Sequence, residues 1–253
     1  MSLQACADIV AKGDPDRFRA ALAAPVEARK VLFPLYAFNV EVARAPWVGS
    51  EPMIGEMRLQ WWRDALEEIA DGKQVRKHEV TVPLAAILDL QAANLLDQGV
   101  AARRWDLYNE PFEDDRHLQR YLEHTGGQLM WVAARALGAP PDTEDLIRQY
   151  ATAAALARFL MAVPELEARG RIPLLDGTAN GIRALAIEAL DRMPRTHTLR
   201  RVLPKPARGA LLEAWQAAAI LEQAHRSPQR VASGTLGLSE FRKRLSLLLE
   251  SLV

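Results

Sequence analysis

Several features that would place this 253-residue chain in a special class are missing. Cys6 is the only cysteine, so the sequence excludes a disulfide framework and a zinc site built from thiolates. Lysine plus arginine and aspartate plus glutamate number 32 each, so no excess charge favours nucleic acid or an anionic surface. Charges at Asp8 and Lys12 interrupt any signal-peptide pattern, and Arg158 breaks the longest apolar segment, 151–164. We expect a cytoplasmic protein, with peripheral contact at an inner membrane left open.

The composition that is present favours helix. Alanine, leucine, arginine and glutamate dominate, whereas aromatic residues make up 6% of the chain and β-branched residues are few. No segment alternates apolar and polar residues over the length of a strand. The connections are short and nothing marks a domain boundary. The sequence therefore predicts one all-α domain over residues 1–253, a bundle of about ten helices around a long core.

Cap and turn residues predict where the helices begin and end. Asp14 can cap a helix that runs through Leu22, because its carboxylate can accept the free N–H groups of the first turn. The glycines 126 and 127 allow close helix packing or a bend. The remaining predictions are a helix over 82–96, a long helical segment over 116–137, a helix over 143–163 that Pro164 ends, a basic connector over 194–206 and a last helix over 238–252.

The segment 50–70 carries the clearest helical pattern. Ser50 is a suitable N-cap and Pro52 fits the first turn. At about 100° per residue, one sector of this helix is apolar. That sector contains Ile54, Met57, Trp61, Trp62, Ala65, Leu66 and Ile69. Arg58 falls within the sector, where a guanidinium needs an acid or carbonyl partner, from the protein or from a ligand.

Other candidate sites each have a structural alternative. Arg158 shares a face with alanines that leave room either for a ligand or for another helix. Arg169 and Arg171 flank a glycine, as an anion site or as a solvated turn. The acids 113–115 are a metal cluster or simply first-turn residues of a helix. The histidines form no zinc motif, and no nucleophile elbow or glycine-rich phosphate loop occurs.

Four stretches together carry a family resemblance. They are Tyr36-Ala37-Phe38, the run Leu-Gln-Trp-Trp-Arg-Asp-Ala-Leu at 59–66, the segment 121–138, and the run from Glu165 to Leu174 that includes Arg-Gly-Arg. In this order and spacing the chain resembles the squalene/phytoene synthase family over nearly its whole length. The resemblance implies the isoprenoid synthase fold, an all-α bundle around a central apolar cavity. It makes Tyr36, Phe38, Trp61 and Trp62 the candidate cavity-lining residues.

The same resemblance exposes a departure from the family. Members of the family join two prenyl diphosphates. Two aspartate-rich helical motifs that face each other hold the Mg²⁺ ions in these proteins. Aspartates suit this role because Mg²⁺ is a hard cation that prefers oxygen ligands. The matching positions here are Ala43, Arg44 and Trp47 for the first motif and Ala162, Glu165 and Leu166 for the second. Only Glu165 is acidic. The resemblance therefore implies that both metal sites are dismantled, with no catalytic residue, no metal ligand and no cofactor.

Three hypotheses follow. Residues 36–44 and 50–62 resemble a divergent branch of the family that includes a mitochondrial complex I assembly factor. The first hypothesis is thus a non-catalytic binding or assembly protein, whose partners would be complex I subunits, assembly proteins or an isoprenoid or quinone-like molecule. The second is an active prenyltransferase with Mg²⁺ held by Glu41, Glu165 or the acids 113–115. In the third, arginines bind an anion directly in place of the metal. Those candidates are Arg44, Arg58, Arg158, Arg169 and Arg171.

Overall fold

The computed structural model describes residues 2–49 and 51–252, and every regular element within these ranges is helical. The prediction of an all-α fold is confirmed. The helices are α1 (Leu3–Gly13), α2 (Pro15–Ala23), α3 (Arg29–Arg44), α4 (Pro52–Ala70), α5 (Thr81–Ala85), α6 (Leu90–Ala102), α7 (Asp115–Leu122), α8 (Gln128–Ala136), α9 (Glu144–Ala168), α10 (Ala179–Arg192), α11 (Thr196–Val202), α12 (Lys205–Leu211), α13 (Ala217–Arg226), α14 (Gln229–Ala232) and α15 (Glu240–Leu252). None of these helices is both long and apolar enough to cross a bilayer. The single domain over 1–253 stays a prediction.

The helix α9 runs through the centre of the bundle. It packs against α8, α10 and α13, and its alanines keep those neighbours close. A single π-helical turn, Glu123–Gly127, joins α7 to α8 beside it. A Cβ atom on Gly126 would lie 2.5 Å from the Cβ of Ala155 in α9. The prediction that glycines 126 and 127 permit close packing is confirmed, because only a residue without a side chain fits there.

The face that α4 buries differs from the predicted one. Its buried residues include Gly55, Leu59, Trp62, Leu66 and Ile69, which lie three and four residues apart. By contrast, Ile54 and Met57 are 41% and 68% exposed, and Arg58 is exposed as well. The prediction that Arg58 lies in a buried apolar sector is therefore wrong.

The glycine in α4 explains this rotation. A Cβ on Gly55 would lie 2.1 Å from Leu107 Cδ2. The side of α4 that contains Gly55 therefore packs against Leu107, and the side that contains Met57 does not. Glu51 precedes the first turn of α4. The predicted cap at Ser50 lies outside the described residues.

Three predicted boundaries were wrong in detail. The segment 82–96 is two helices, since Asp89 caps α6 by accepting a hydrogen bond from the Ala92 N–H at 2.9 Å. Pro164 lies inside α9, which continues to Ala168. The connector 194–206 contains α11 and the start of α12.

The end of α9 is set by a glycine rather than by the proline. Gly170 has a φ of +77°, and the N–H groups of Gly170 and Arg171 return to the carbonyls of Glu167 and Leu166, both at 2.9 Å. This is the pattern of hydrogen bonds by which a glycine in the left-handed conformation closes a helix. Pro164 only withdraws one backbone donor within the helix.

Candidate functional site

Four charged side chains meet inside the bundle where α2, α9 and the turn 212–214 come together. We call Asp14, Arg17, Arg158 and Glu213 the buried charge cluster. Arg17 donates through Nε to Glu213 Oε2 and through Nη1 to Asp14 Oδ2, the second at 2.9 Å. Arg158 donates to the carbonyl oxygen of Glu213 at 2.7 Å and lies 3.4 Å from its Oε2. The side chain of Glu213 is fully buried, so one carboxylate holds two guanidiniums.

Arg17 and Asp14 keep their charges despite burial. Burial opposes the charge of Arg17, but Glu213 and Asp14 outweigh it and raise the pKa of Arg17 above its ordinary value. Burial would likewise raise the pKa of Asp14, yet Arg17 and Arg158 hold it below the ordinary aspartate value. Asp14 also caps α2 by accepting from the Arg17 N–H at 2.9 Å, which confirms the predicted cap.

A cavity of about 170 Å³ lies against the cluster. Its walls include Asp14, Asp16, Arg158, Met161 and Gln216. This volume holds a few water molecules and falls below the roughly 300 Å³ at which sites for drug-sized ligands begin. Near it, the buried oxygens Glu213 Oε1, Gln216 Oε1 and Tyr36 Oη have no partner among the described residues.

Sequence reasoning did not identify Arg17 or Glu213. The two residues lie 196 positions apart, so no local spacing connects them. A signal did exist, because Glu213 interrupts the run Leu-Leu-Glu-Ala-Trp at 211–215 and an acid within such a run needs a buried partner.

A second group of side chains joins the ends of α3 and α9. The guanidinium carbon of Arg169 lies 4.4 Å from the centroid of the Trp47 indole ring, and that of Arg171 lies 5.3 Å from it. We call these three residues the Trp47 stack. Arg171 is buried and also donates to the carbonyls of Trp105 and Asp106. Arg169 pairs in addition with Glu165 one turn earlier in α9.

The five arginines predicted to bind an anion therefore have different surroundings. Arg169 and Arg171 meet on Trp47, whereas Arg158 belongs to the buried charge cluster. Arg44 is 64% exposed and pairs with Glu41 at 3.3 Å. Within the described ranges, Arg58 makes no ion pair, and no hydrogen bond or cation–π contact joins it to the Trp47 stack. Anion binding by these residues stays a prediction.

The four residues predicted to line an apolar cavity lie in or beside the core. Tyr36, Phe38 and Trp62 are buried, and Trp61 is partly buried. Phe38 and Trp61 each contact Trp62 edge to face, with centroids 5.4 and 4.9 Å apart. None of the four lines the 170 Å³ cavity or a second one of about 280 Å³ beside Glu113 and Tyr121. Their role as cavity wall stays a prediction.

The positions that correspond to the family's metal motifs carry a donor set that does not fit Mg²⁺. Glu165, the one acid among them, is 70% exposed and bound to Arg169. Glu41 is bound to Arg44. In residues 2–49 and 51–252 no three histidine, cysteine or acidic side chains are grouped so that they could hold a metal ion. Among the acids 113–115, Asp114 caps α7 by accepting from the His117 N–H at 2.7 Å.

Comparisons with known proteins agree with the fold. The sequence model of the squalene/phytoene synthase family matches residues 10–236 of this chain. A dehydrosqualene synthase solved with a ligand superposes with a TM-score of 0.80 at 16% identity, covering 99% of this chain and 95% of that one. Squalene synthase HpnC from Alicyclobacillus acidocaldarius gives a TM-score of 0.69 at 18% identity, covering 93% and 95%. Identities this low establish the fold alone.

The curated relatives have a different name. NADH dehydrogenase (ubiquinone) complex I, assembly factor 6 of Homo sapiens is 30% identical over 146 residues, which is 53% of this chain and 40% of that protein. Its homolog in Drosophila melanogaster is 28% identical over 177 residues, 67% of this chain and 53% of that protein. The matched stretch of this chain thus spans only about half, or less, of the length of these relatives.

Proposed function

This chain belongs to the squalene/phytoene synthase family, and we propose that it acts in binding or assembly, in the manner of a respiratory complex I assembly factor, rather than in prenyl transfer. Its partners in this proposal are complex I subunits or their assembly proteins. The names of the human and Drosophila relatives support this choice. The proposed location is cytoplasmic, with peripheral contact at the inner membrane.

The Trp47 stack is the observation that carries the proposal. Trp47 stands where the resemblance implies an acid of the first metal motif, and Arg169 reaches it from the segment that follows the second. Guanidiniums and an indole supply donors and an apolar face, whereas Mg²⁺ requires oxygen ligands. The acids nearest to these positions, Glu41 and Glu165, are each already paired with an arginine. Such a donor set does not fit Mg²⁺.

Deletion of the gene tests the assembly role. We expect less assembled NADH:quinone oxidoreductase on native gels and a lower NADH:quinone activity in membranes of the deletion strain. Complementation with the wild-type gene should restore both. The Trp47→Ala variant should restore them less well if the stack forms part of the working surface, and Met53→Ala, at a 71% exposed position, is the matched control. Normal assembly in the deletion strain would exclude this role.

The second candidate is an active prenyltransferase, which the similarity of the fold to dehydrosqualene synthase favours. Incubation of the purified chain with Mg²⁺ and farnesyl or geranylgeranyl diphosphate distinguishes the two. We expect no C30 or C40 hydrocarbon and no release of diphosphate above the level without protein. Product that disappears with EDTA would overturn the non-catalytic proposal.

An isoprenoid or quinone-like tail is the small molecule that the proposal allows. The motive is the buried framework of Tyr36, Phe38 and Trp62, which the family resemblance makes candidate cavity-lining residues. The cavity at the buried charge cluster measures only about 170 Å³, and none of these three residues lines it. Equilibrium dialysis with a short-chain ubiquinone tests this, and the lack of saturable binding would remove the ligand while leaving the assembly role intact.

A further inference from the structure

The helix α15 is placed with its apolar side outward. Five of its side chains are large, apolar and between 44% and 75% exposed, whereas Leu247 is its one buried residue. The exposed five are Phe241, Leu245, Leu248, Leu249 and Leu252. At about 100° per residue they fall within an arc of about 100°. A surface helix of a globular protein normally turns such an arc towards the core.

Ion pairs and the buried Leu247 hold α15 to the rest of the protein. Lys243 lies 3.4 Å from Asp16 in α2, and Glu240 lies 3.1 Å from Arg19 in the same helix. Near the other end of α15, Glu250 accepts from Arg200 at 2.8 Å. Both acids of α15 are therefore paired with arginines of other helices, and at 100° per residue neither falls within the apolar arc.

Arginines border the arc on both sides. Arg244 lies about 40° before its first residue and Arg242 about 20° after its last, at 100° per residue. Both side chains are exposed, and within the described part of the chain neither makes an ion pair. An apolar arc between two cations is the pattern of a helix that lies in the headgroup region of a membrane, where leucines enter the acyl boundary and arginines reach phosphates.

We propose that α15 docks this protein onto the surface of an anionic lipid bilayer, with the apolar arc inserted and Arg242 and Arg244 on lipid phosphates. The 13 residues of α15 extend about 20 Å, too short for a hydrocarbon core of about 30 Å, so the helix lies in the plane of the surface. This inference rests on the peripheral membrane contact proposed above and names the helix that makes it, but it does not depend on the assembly role, since it concerns a surface rather than a partner protein.

Charge also argues against a second copy of the chain as the occupant. A twofold pairing of α15 with itself would bring two apolar arcs together, each bordered by arginine on both sides. No acid of α15 would stand opposite those cations, because Glu240 and Glu250 are already paired with Arg19 and Arg200. Lipid phosphates supply the missing anions.

Flotation of the full chain with lipid vesicles tests the proposal. We expect binding to phosphatidylcholine vesicles that contain phosphatidylglycerol and much weaker binding to phosphatidylcholine alone. Binding to the anionic vesicles should decrease at high salt, because salt screens the attraction between the arginines and the lipid phosphates. The double variant L248E/L249E should lower the partition coefficient at least tenfold. R242Q/R244Q should lower it roughly 10- to 30-fold on anionic vesicles and little on neutral ones.

A matched control introduces the same two charges elsewhere. M53E/M57E alters two residues of α4 that are 71% and 68% exposed, and it should bind as the wild type does. All variants should keep the same circular dichroism and the same urea midpoint, which separates loss of docking from loss of fold. Failure of the wild type to float with either vesicle, or undiminished binding by L248E/L249E, would overturn the proposal.

A fluorescent label locates the contact. Cys6 is buried, and burial raises the pKa of its thiol to about 11, so it stays unlabelled while L248C is modified. A polarity-sensitive nitrobenzoxadiazole label at L248C should shift to the blue with anionic vesicles, whereas one at M57C should not. A concentration-dependent dimer without lipid that L248E/L249E abolishes would show instead that a second copy covers the arc, and would overturn the lipid assignment.

Discussion

Glu213 contacts both arginines of the buried charge cluster. It binds Arg17 through its carboxylate and Arg158 through its carbonyl oxygen, and its own side chain is fully buried. Because both arginines stay charged, removal of the carboxylate leaves two cations with Asp14 as the remaining acid of the cluster.

We expect Glu213→Ala to lower the free energy of unfolding by about 3–5 kcal/mol, the usual result of breaking a buried ion pair from one side. Glu213→Gln should cost less, since its amide oxygen still accepts from Arg17. Urea denaturation followed by circular dichroism measures both. The control is Glu222→Ala, whose partner Arg226 is 72% exposed and which should change stability by about 0.5 kcal/mol or less. Equal effects at positions 213 and 222 would contradict the buried charge cluster.

Residue-scale features were predictable only where one segment contains both partners. Asp14 and the first turn of α2 are adjacent, so the cap could be recognised from the sequence. The exposure of Arg58 could not be, because it depends on Leu107, which brings α4 onto its glycine face. Glu213 and Arg17 depend likewise on a contact between distant parts of the chain.

At the scale of single helices, the π-helical turn between α7 and α8 depends on a glycine. Gly126 lies against Ala155 of α9, and an added Cβ would stand 2.5 Å from the alanine Cβ. Backbone and small side chains make up both sides of this contact, so no flexible group can move aside.

Gly126→Ala is therefore expected to destabilise the fold by about 1–3 kcal/mol through overpacking. Gly177→Ala is the matched control, because Gly177 is exposed and no atom lies within 4 Å of its added Cβ. That control should be neutral, or stabilising by up to about 1 kcal/mol through the unfolded chain. Thermal unfolding compares the two, and an unaffected midpoint for Gly126→Ala would mean that the π-helical turn and α9 are less closely packed than described.

Element boundaries were predicted where a cap dominates and missed where two signals compete. Pro164 predicts the end of a helix, yet α9 continues to Ala168, and the left-handed conformation of Gly170 closes its last turn. Asp89 lies inside an otherwise continuous apolar pattern, and its capping hydrogen bond divides the segment. The spacing of apolar residues alone does not decide whether a capping residue starts a new helix or the existing helix continues through it.

At the scale of the whole molecule, the resemblance to a family predicted more than composition and periodicity did. Composition and periodicity predicted an all-α bundle, and the order of Tyr-Ala-Phe, Gln-Trp-Trp and Arg-Gly-Arg predicted the family that the match over 10–236 confirms. The contact of Trp47 with Arg169 could not be predicted, because the two residues come from distant parts of the chain.

The buried charge cluster also links the N-terminal helices to the turn 212–214, so its protonation affects the stability of the whole fold. Arg17 and Arg158, against the opposing effect of burial, hold the pKa of Asp14 below its ordinary value. A carboxyl with a lowered pKa in the folded state stabilises the fold above its unfolded pKa of about 3.9, and that contribution disappears as the pH falls through the folded pKa.

Asp14→Asn isolates this effect, because asparagine still caps α2 but carries no charge for Arg17. We expect wild type to exceed the variant by about 1–2 kcal/mol at pH 7, the worth of a hydrogen bond between charged groups, and the gap to close as the pH falls below about 4. Asp89 serves as control: Arg135 lowers its pKa to about 2, but its side chain is 56% exposed, so Asp89→Asn should show a smaller gap. Urea denaturation across this pH range measures both, and a gap at position 14 that does not change with pH would mean that Asp14 carries no charge in the folded protein.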